Sequence, residues 1–224
     1  MRPFLMAIAM TGMVLGLSAC AGSPFKRTEY VPVTGWDPQR VKEAFESRLP
    51  QTWQMTESMI FSYRGHDLLG LGVTQIDRLK DQFSMVGLNP AGMKMIEISG
   101  DSKNLKCEVL VPELAQKGDV CRAVTEDVRR IYWDRTPSPE ASSRKEKKSV
   151  IFSEKHEDGV LDYVFAGPEA ILVEKRFTKA EHVEWRVRYY EYRSQKGKVF
   201  PGGVYFEHYP YHYKLTLRLK EIRS

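Results

Sequence analysis

The chain offers little for covalent or metal chemistry: three cysteines and five histidines in 224 residues. It contains no Gly-x-Ser-x-Gly, no P-loop and no His-Glu-x-x-His, which removes the common signatures of serine hydrolases, nucleotide hydrolases and zinc peptidases. His208 and His212 flank Pro210 and are expected on a solvent face, with the proline breaking the strand between them. His156-Glu157-Asp158-Gly159 and Gly65-His66-Asp67 read as turns rather than acid–base pairs. No enzyme, no cofactor and no metal are expected. Long apolar runs are also scarce. Phe4 to Leu17 is the one extended example, and it is short for a membrane span.

That run follows Arg2 and closes on Leu17-Ser18-Ala19-Cys20, with small residues before the cysteine, as expected of an export signal. The ending resembles the lipobox of bacterial lipoproteins. The resemblance implies that residues 1–19 are a lipoprotein signal peptide, that Cys20 receives the lipid, and that membrane lipids are partners through this anchor. One acyl chain holds a protein only marginally and several hold it stably. Ala21 after the cysteine implies an outer-membrane, lipid-anchored, periplasm-facing location. Lys+Arg total 34 against 29 Asp+Glu, and removal of Arg2 leaves 33 − 29 = +4. Nucleic acid is not an expected partner of such an exported chain; its mild basicity suits anionic head groups. Cys107 and Cys121 then remain, a disulfide candidate in an oxidising compartment or two free structural thiols.

Residues 20–35, with two prolines and two glycines and no apolar period, read as a flexible tether to a domain over 36–224. Asp37-Pro38 is an N-cap followed by a first-turn proline; Val41, Phe45 and Leu49 form a stripe, and Pro50 ends it. From Gln51 the period becomes that of short strands broken by turns: Trp53–Tyr63, Asp67–Gln75, Gln82–Leu88, Lys94–Ser99 and Lys106–Val111. A second helix begins at Gly118-Asp119 and runs to about Asp134, with Val120, Val124, Val128, Ile131 and Tyr132 on one side. Thr136 to Lys148 is expected to be a solvated linker. Six further strands follow: Val150–Ser153, Gly159–Phe165, Ala170–Phe177, Val183–Tyr192, Val204–Glu207 and Tyr211–Ile222. The pattern predicts a mainly β, α+β fold of about eleven antiparallel strands with helices on the apolar face.

The tyrosines from Tyr205 to Tyr213 are expected mainly in the core. Met55, Met59, Met85, Met93 and Met95 concentrate in the first half of the sheet, where thioethers suit either ordinary core filling or an adaptable apolar cavity.

The element order resembles the lipoprotein carriers of the Lol system, LolB in particular. Val86-Gly87-Leu88-Asn89-Pro90-Ala91-Gly92-Met93 is similar to a strand–loop–strand bearing an Asn-Pro-Leu-Gly turn in LolB. Asp127-Val128-Arg129-Arg130-Ile131-Tyr132-Trp133 resembles a helix ending in Tyr-Trp-Pro in a related group of bacterial lipoproteins. Phe200-Pro201-Gly202 through Leu219 is similar to the closing strand pair of both. Ala91 stands where the LolB turn has its membrane-directed leucine, and Asp134 where the related group has proline.

The resemblance implies an open antiparallel half-barrel with a helical lid over an apolar concave face. Asn89, Pro90, Ala91 and Gly92 would form a rim loop, and Val120, Val124, Val128, Ile131 and Tyr132 the lid. Val183, Trp185, Val187, Leu215 and Leu217 would wall an apolar cavity. The implied ligand is an acyl chain, another apolar molecule or a lipoprotein; the alternative is an envelope scaffold with a filled core and no ligand.

Overall fold

A computed structural model describes residues 23–101, 103–111 and 119–223. The expected signal segment and Cys20 lie outside the described residues. No helix among the described residues is long and apolar enough to cross a membrane.

Helix α1 (Pro38–Ser47) begins where Asp37 Oδ1 accepts from Gln39 N at 3.0 Å. It buries Val41 and Phe45, and Leu49 just past its end is buried too. Strands β1 (Thr52–Tyr63), β2 (His66–Asp77), β3 (Gln82–Leu88), β4 (Lys94–Gly100) and β5 (Leu105–Val109) form an antiparallel meander. Helix α2 (Val120–Val128) follows and continues as a π-helical turn, Arg129–Trp133. The second run of strands is β6 (Ser142–Lys145), β7 (Ser149–His156), β8 (Gly159–Ala166), β9 (Ile171–Lys179) and β10 (His182–Tyr190). It ends with β13 (Gly203–His208) and β14 (Tyr213–Arg223), after a separate small hairpin of β11 (Arg193–Gln195) and β12 (Lys198–Phe200).

Twelve strands form one sheet in the order β5-β4-β3-β2-β1-β14-β13-β10-β9-β8-β7-β6. The last strand closes on the first: Met59 faces Leu217 and Phe61 faces Leu215. That pairing joins the two meanders into one curved, open half-barrel, and bulges at Thr56/Glu57, Gly87/Leu88, Val164/Phe165 and Val183/Trp185 help bend it. The helices cover the concave face. At one end Phe45 of α1 meets Phe165 edge-on at 5.4 Å, and Phe165 meets Phe152 at 5.5 Å.

Three segments differ from their sequence reading, the first being the β11–β12 hairpin, which falls where no strand is expected. Within the expected linker, Ser142–Lys145 pairs with β7 as an edge strand. Its exposed Ser, Arg and Lys side chains are polar because an edge strand faces water. The expected tether, from residue 23, crosses the convex face as a strap. Phe25 is buried and stacks on Tyr190 at 5.3 Å, beneath the Arg218 guanidinium at 4.6 Å. Gly203 makes room for it, since a Cβ there would lie 2.4 Å from the Phe25 ring. Val33 is buried as well, and its N–H donates to Lys147 O. The reason is long-range: two isolated apolar residues find sites built by strands far along the chain.

Candidate functional site: a lidded concave face

Strand register fixes which side chains share the concave face. Across the first half, one row runs Leu219, Glu57, Gly72, Gly87, Ile96 and Val109; the next runs Ile222, Met55, Thr74, Met85, Ile98 and Cys107. In the second half, Trp185, Val187 and Tyr189 lie beside His208, Phe206 and Val204. Cys107 and Cys121 form a disulfide with Cα atoms 5.9 Å apart, tying the start of α2 to the edge strand β5.

The lid is held by polar side chains rising from the sheet. Tyr132 Oη donates to the buried carboxylate of Glu57. Tyr189 Oη donates to Ile131 O at 2.8 Å, and Lys175 Nζ to Arg130 O at 2.8 Å. Tyr213 Oη donates to Asp127 Oδ2 at 2.5 Å. These contacts reach the π-helical turn and the helix end before it, where widened backbone spacing leaves carbonyls to satisfy.

Burial sets the charge states. Desolvation raises Glu57 to about 7 against the lowering effect of its Tyr132 hydrogen bond. It raises Asp127 to about 6, opposed by Tyr213 and Arg130. Lys175, fully buried over the rings of Tyr163 and Trp185, falls to about 8 by desolvation. His208 falls to about 4 by desolvation and then by Arg130.

The expectation of a solvent-facing His208 is corrected. It lies opposite both Trp185 and Tyr213, is buried, and stacks on Tyr213 at 5.2 Å. Its strand keeps alternating Val204, Phe206 and His208 inward up to the turn before Pro210, so the proline acts too late to turn it out. His212, in that turn, is exposed at φ 53°. Among the described residues no three His, Cys, Asp or Glu side chains gather as metal ligands.

The residues expected to wall a cavity divide in two. Trp185, Val187 and Leu217 are buried in packed core, Val187 completely. Leu215 is half-buried on the concave side, whereas the expectation for Val183 is corrected: past the bulge before Trp185 it lies opposite Thr178, on the outward parity. Of the lid residues, Val128, Ile131 and Tyr132 are buried while Val120 and Val124 are half-buried. The apolar side chains that stay partly open on the concave side are Met59, Phe61, Met85, Val124 and Leu215, with Leu68 at the rim. Beneath them a Cβ on Gly72 would meet nothing within 4 Å. The rim loop is folded on itself: Asn89 Oδ1 accepts from Ala91 N at 3.0 Å and Met93 N at 2.9 Å, with Gly92 at φ +82°. Met93 is 63% exposed at its end.

Glu57 and Lys175 were missed because charge hides their position. Each nonetheless falls on the inward parity of its strand, Met55-Glu57-Met59 and Lys175-Phe177, which is the signal that could have found them.

This geometry resembles solved structures. A LolA superfamily protein from Nitrosomonas europaea aligns at TM-score 0.54 and 12% identity, over 84% of this chain and 94% of that one. A domain from Vibrio parahaemolyticus, described as an outer membrane lipoprotein-sorting protein domain, aligns at 0.54 and 8%, over 84% and 93%. A DUF1329 family protein from Desulfovibrio piger aligns at 0.54 and 7%, over 83% and 90%. The fold is therefore LolA/LolB-like, an open half-barrel with a helical lid. Comparison with curated proteins gives no match. Residues 54–221, from the first strand to the last, match the family described as "Protein of unknown function (DUF3261)", and the chain belongs to that family.

Proposed function

We propose that this protein is a lipid-anchored lipoprotein of the bacterial envelope that holds an acyl chain or a comparable apolar ligand on its concave face and performs no catalysis. The observation that carries the reading is the partly open apolar surface of Met59, Phe61, Met85 and Leu215 on the inward parity of the sheet. Burial of such surface is worth about 25 cal/mol per Å², and methionines adapt to hydrocarbon of varied shape. The lipobox-like Leu17-Ser18-Ala19-Cys20 supports an anchor at Cys20, and Ala21 supports the outer membrane with the body facing the periplasm. The Cys107–Cys121 pairing suits that oxidising compartment. The fold is shared with a protein described as a lipoprotein-sorting domain, so a lipoprotein's acyl chains are a candidate cargo.

A second reading, an envelope scaffold with no ligand, draws on the filled end of the same face, where Val187 and Leu217 are buried. Mass spectrometry of lipid extracted from the purified native protein, with titration of a fluorescent fatty acid, separates the two. The carrier reading expects bound lipid and saturable binding, both lost in a Phe61→Ser, Leu215→Ser double variant with an unchanged circular-dichroism spectrum. A parent protein free of lipid and unable to bind the probe favours the scaffold.

A further inference from the structure

The convex face carries an apolar patch on β1–β3 that neither the lid nor the strap covers. Ile60 lies opposite Leu69, Leu71 opposite Leu88, and Val73 opposite Val86, all on the outward parity. Ile60 is 37% and Leu69 52% exposed, and the other four are half-buried. Beyond β14 the same face is charged instead, with Glu207, Arg188, Glu174, Arg176 and Asp162 in ion pairs.

The strap fixes where the anchor enters. Arg218 Nη2 donates to Pro24 O at 3.4 Å, and Arg218 lies opposite Ser58, which lies opposite Leu71. Two strand steps of about 4.8 Å separate Leu71 from the backbone of Arg218, whose side chain carries the contact to Pro24. Cys20 precedes Pro24 by four residues, a reach of at most about 14 Å. A lipid on Cys20 would therefore enter the bilayer on the side of the convex face, within reach of this patch. Exposed Lys214, on the outward side of β14, borders it and suits anionic head groups.

We infer that the convex face of β1–β3 is the surface that rests on the membrane, the strap holding the lipid-bearing cysteine so that the patch meets the bilayer and the charged half of the face stays in water. This rests on the proposed lipidation of Cys20, though not on cargo binding in the concave face.

The test uses the lipidated full protein in vesicles of phosphatidylethanolamine and phosphatidylglycerol. A nitroxide is placed by Leu71→Cys or, as control, Glu157→Cys in the β7–β8 turn. The expected result is severalfold protection of the label at 71 from a water-soluble nickel chelate, with increased access of oxygen, and full water exposure at 157. Equal water exposure at both positions, in protein that floats with the vesicles and carries lipid on Cys20, overturns the orientation and leaves the anchor standing. Protection at 71 that comes with spin–spin broadening dependent on protein density identifies a second copy as the occupant and overturns it too. Absence of lipid on Cys20 by mass spectrometry overturns the anchor and this orientation together.

Discussion

The two halves of the sheet use their faces differently. From β7 to β13 the concave side is closed by aromatic packing and the lid, and the convex side is neutralised by paired charges. From β1 to β5 the concave side is packed through Trp53, Met55, Ile76, Phe83 and Ile98 but stays partly open around Met59, Phe61 and Met85, above Gly72, while the convex side bears aliphatic side chains. Strand count and pleat are alike, so the difference lies in the side chains. One half closes both of its faces, whereas the other leaves apolar side chains partly open on both.

The largest break in that comparison comes from truncation. Phe165→Ala removes a fully buried ring between Phe45 and Phe152 and is expected to cost about 3–5 kcal/mol. Leu69→Ala in the other half removes a 52%-exposed side chain and is expected to cost no more than about 0.5 kcal/mol. Urea unfolding of both measures the gap; similar losses would mean that the first half is as closed as the second.

Much of this division was legible in advance. The strand pattern, the helix from Asp37-Pro38 to Pro50 and the second helix from Asp119 follow local rules of period and capping. The resemblance supplied the half-barrel and its lid. What stayed hidden depends on long-range register. Phe25 is a lone aromatic in a Pro/Gly-rich segment until Gly203 and Tyr190 make its site. The edge strand over 142–145 has no apolar alternation to betray it. Val187 and Leu217 looked like cavity wall because alternation reveals which face is dry, not whether that face is filled.

Next in size is the crosslink between the open half and its lid. Cys107 and Cys121 enclose a short loop, and a loop of that length stabilises by about 3 kcal/mol through restriction of the unfolded chain. Cys107→Ser with Cys121→Ser is expected to lower the unfolding free energy in urea by that amount and to make reductant, which should shift the parent's midpoint, without effect. A parent insensitive to reductant would separate the lid from β5.

The lid latch sharpens the comparison through pH. Glu57 has a folded pKa of about 7 against an ordinary 4.5, so the folded state holds its proton more tightly than the unfolded one. Its contribution is therefore fully present below about 4.5 and is lost as pH rises through 7. Asp127 works in the same sense up to about 6, and His208, lowered to about 4, in the opposite sense below 6.5. Glu57→Gln keeps an acceptor for Tyr132 and removes the titration. The difference in stability between variant and parent is expected to grow between pH 5 and 8 in the variant's favour, by an amount on the order of 2 kcal/mol. A pH-independent difference would show that Glu57 is solvated when the lid is in place.

The smallest effect compares the two convex surfaces. Arg188 bridges Glu174 at 3.3 Å and Glu207 at 3.1 Å, a shared cation between neighbouring strands. Arg188→Ala takes this cation from Glu207 and leaves Glu174 with Arg176 and Arg186, and is expected to cost about 1 kcal/mol at low salt. Because this contribution is electrostatic and partly exposed, it should shrink as salt shortens the screening length from about 30 Å at 0.01 M to about 3 Å at 1 M. Leu71→Ala removes only partly buried hydrocarbon and should change stability by a few tenths of a kcal/mol at any of these salt concentrations. Unfolding midpoints of the two variants across a salt series therefore read out which half of the convex face is held by charge. If both variants lost the same amount at every salt concentration, the aliphatic patch would be a structural surface like its charged neighbour, and the case for its contact with a membrane would weaken.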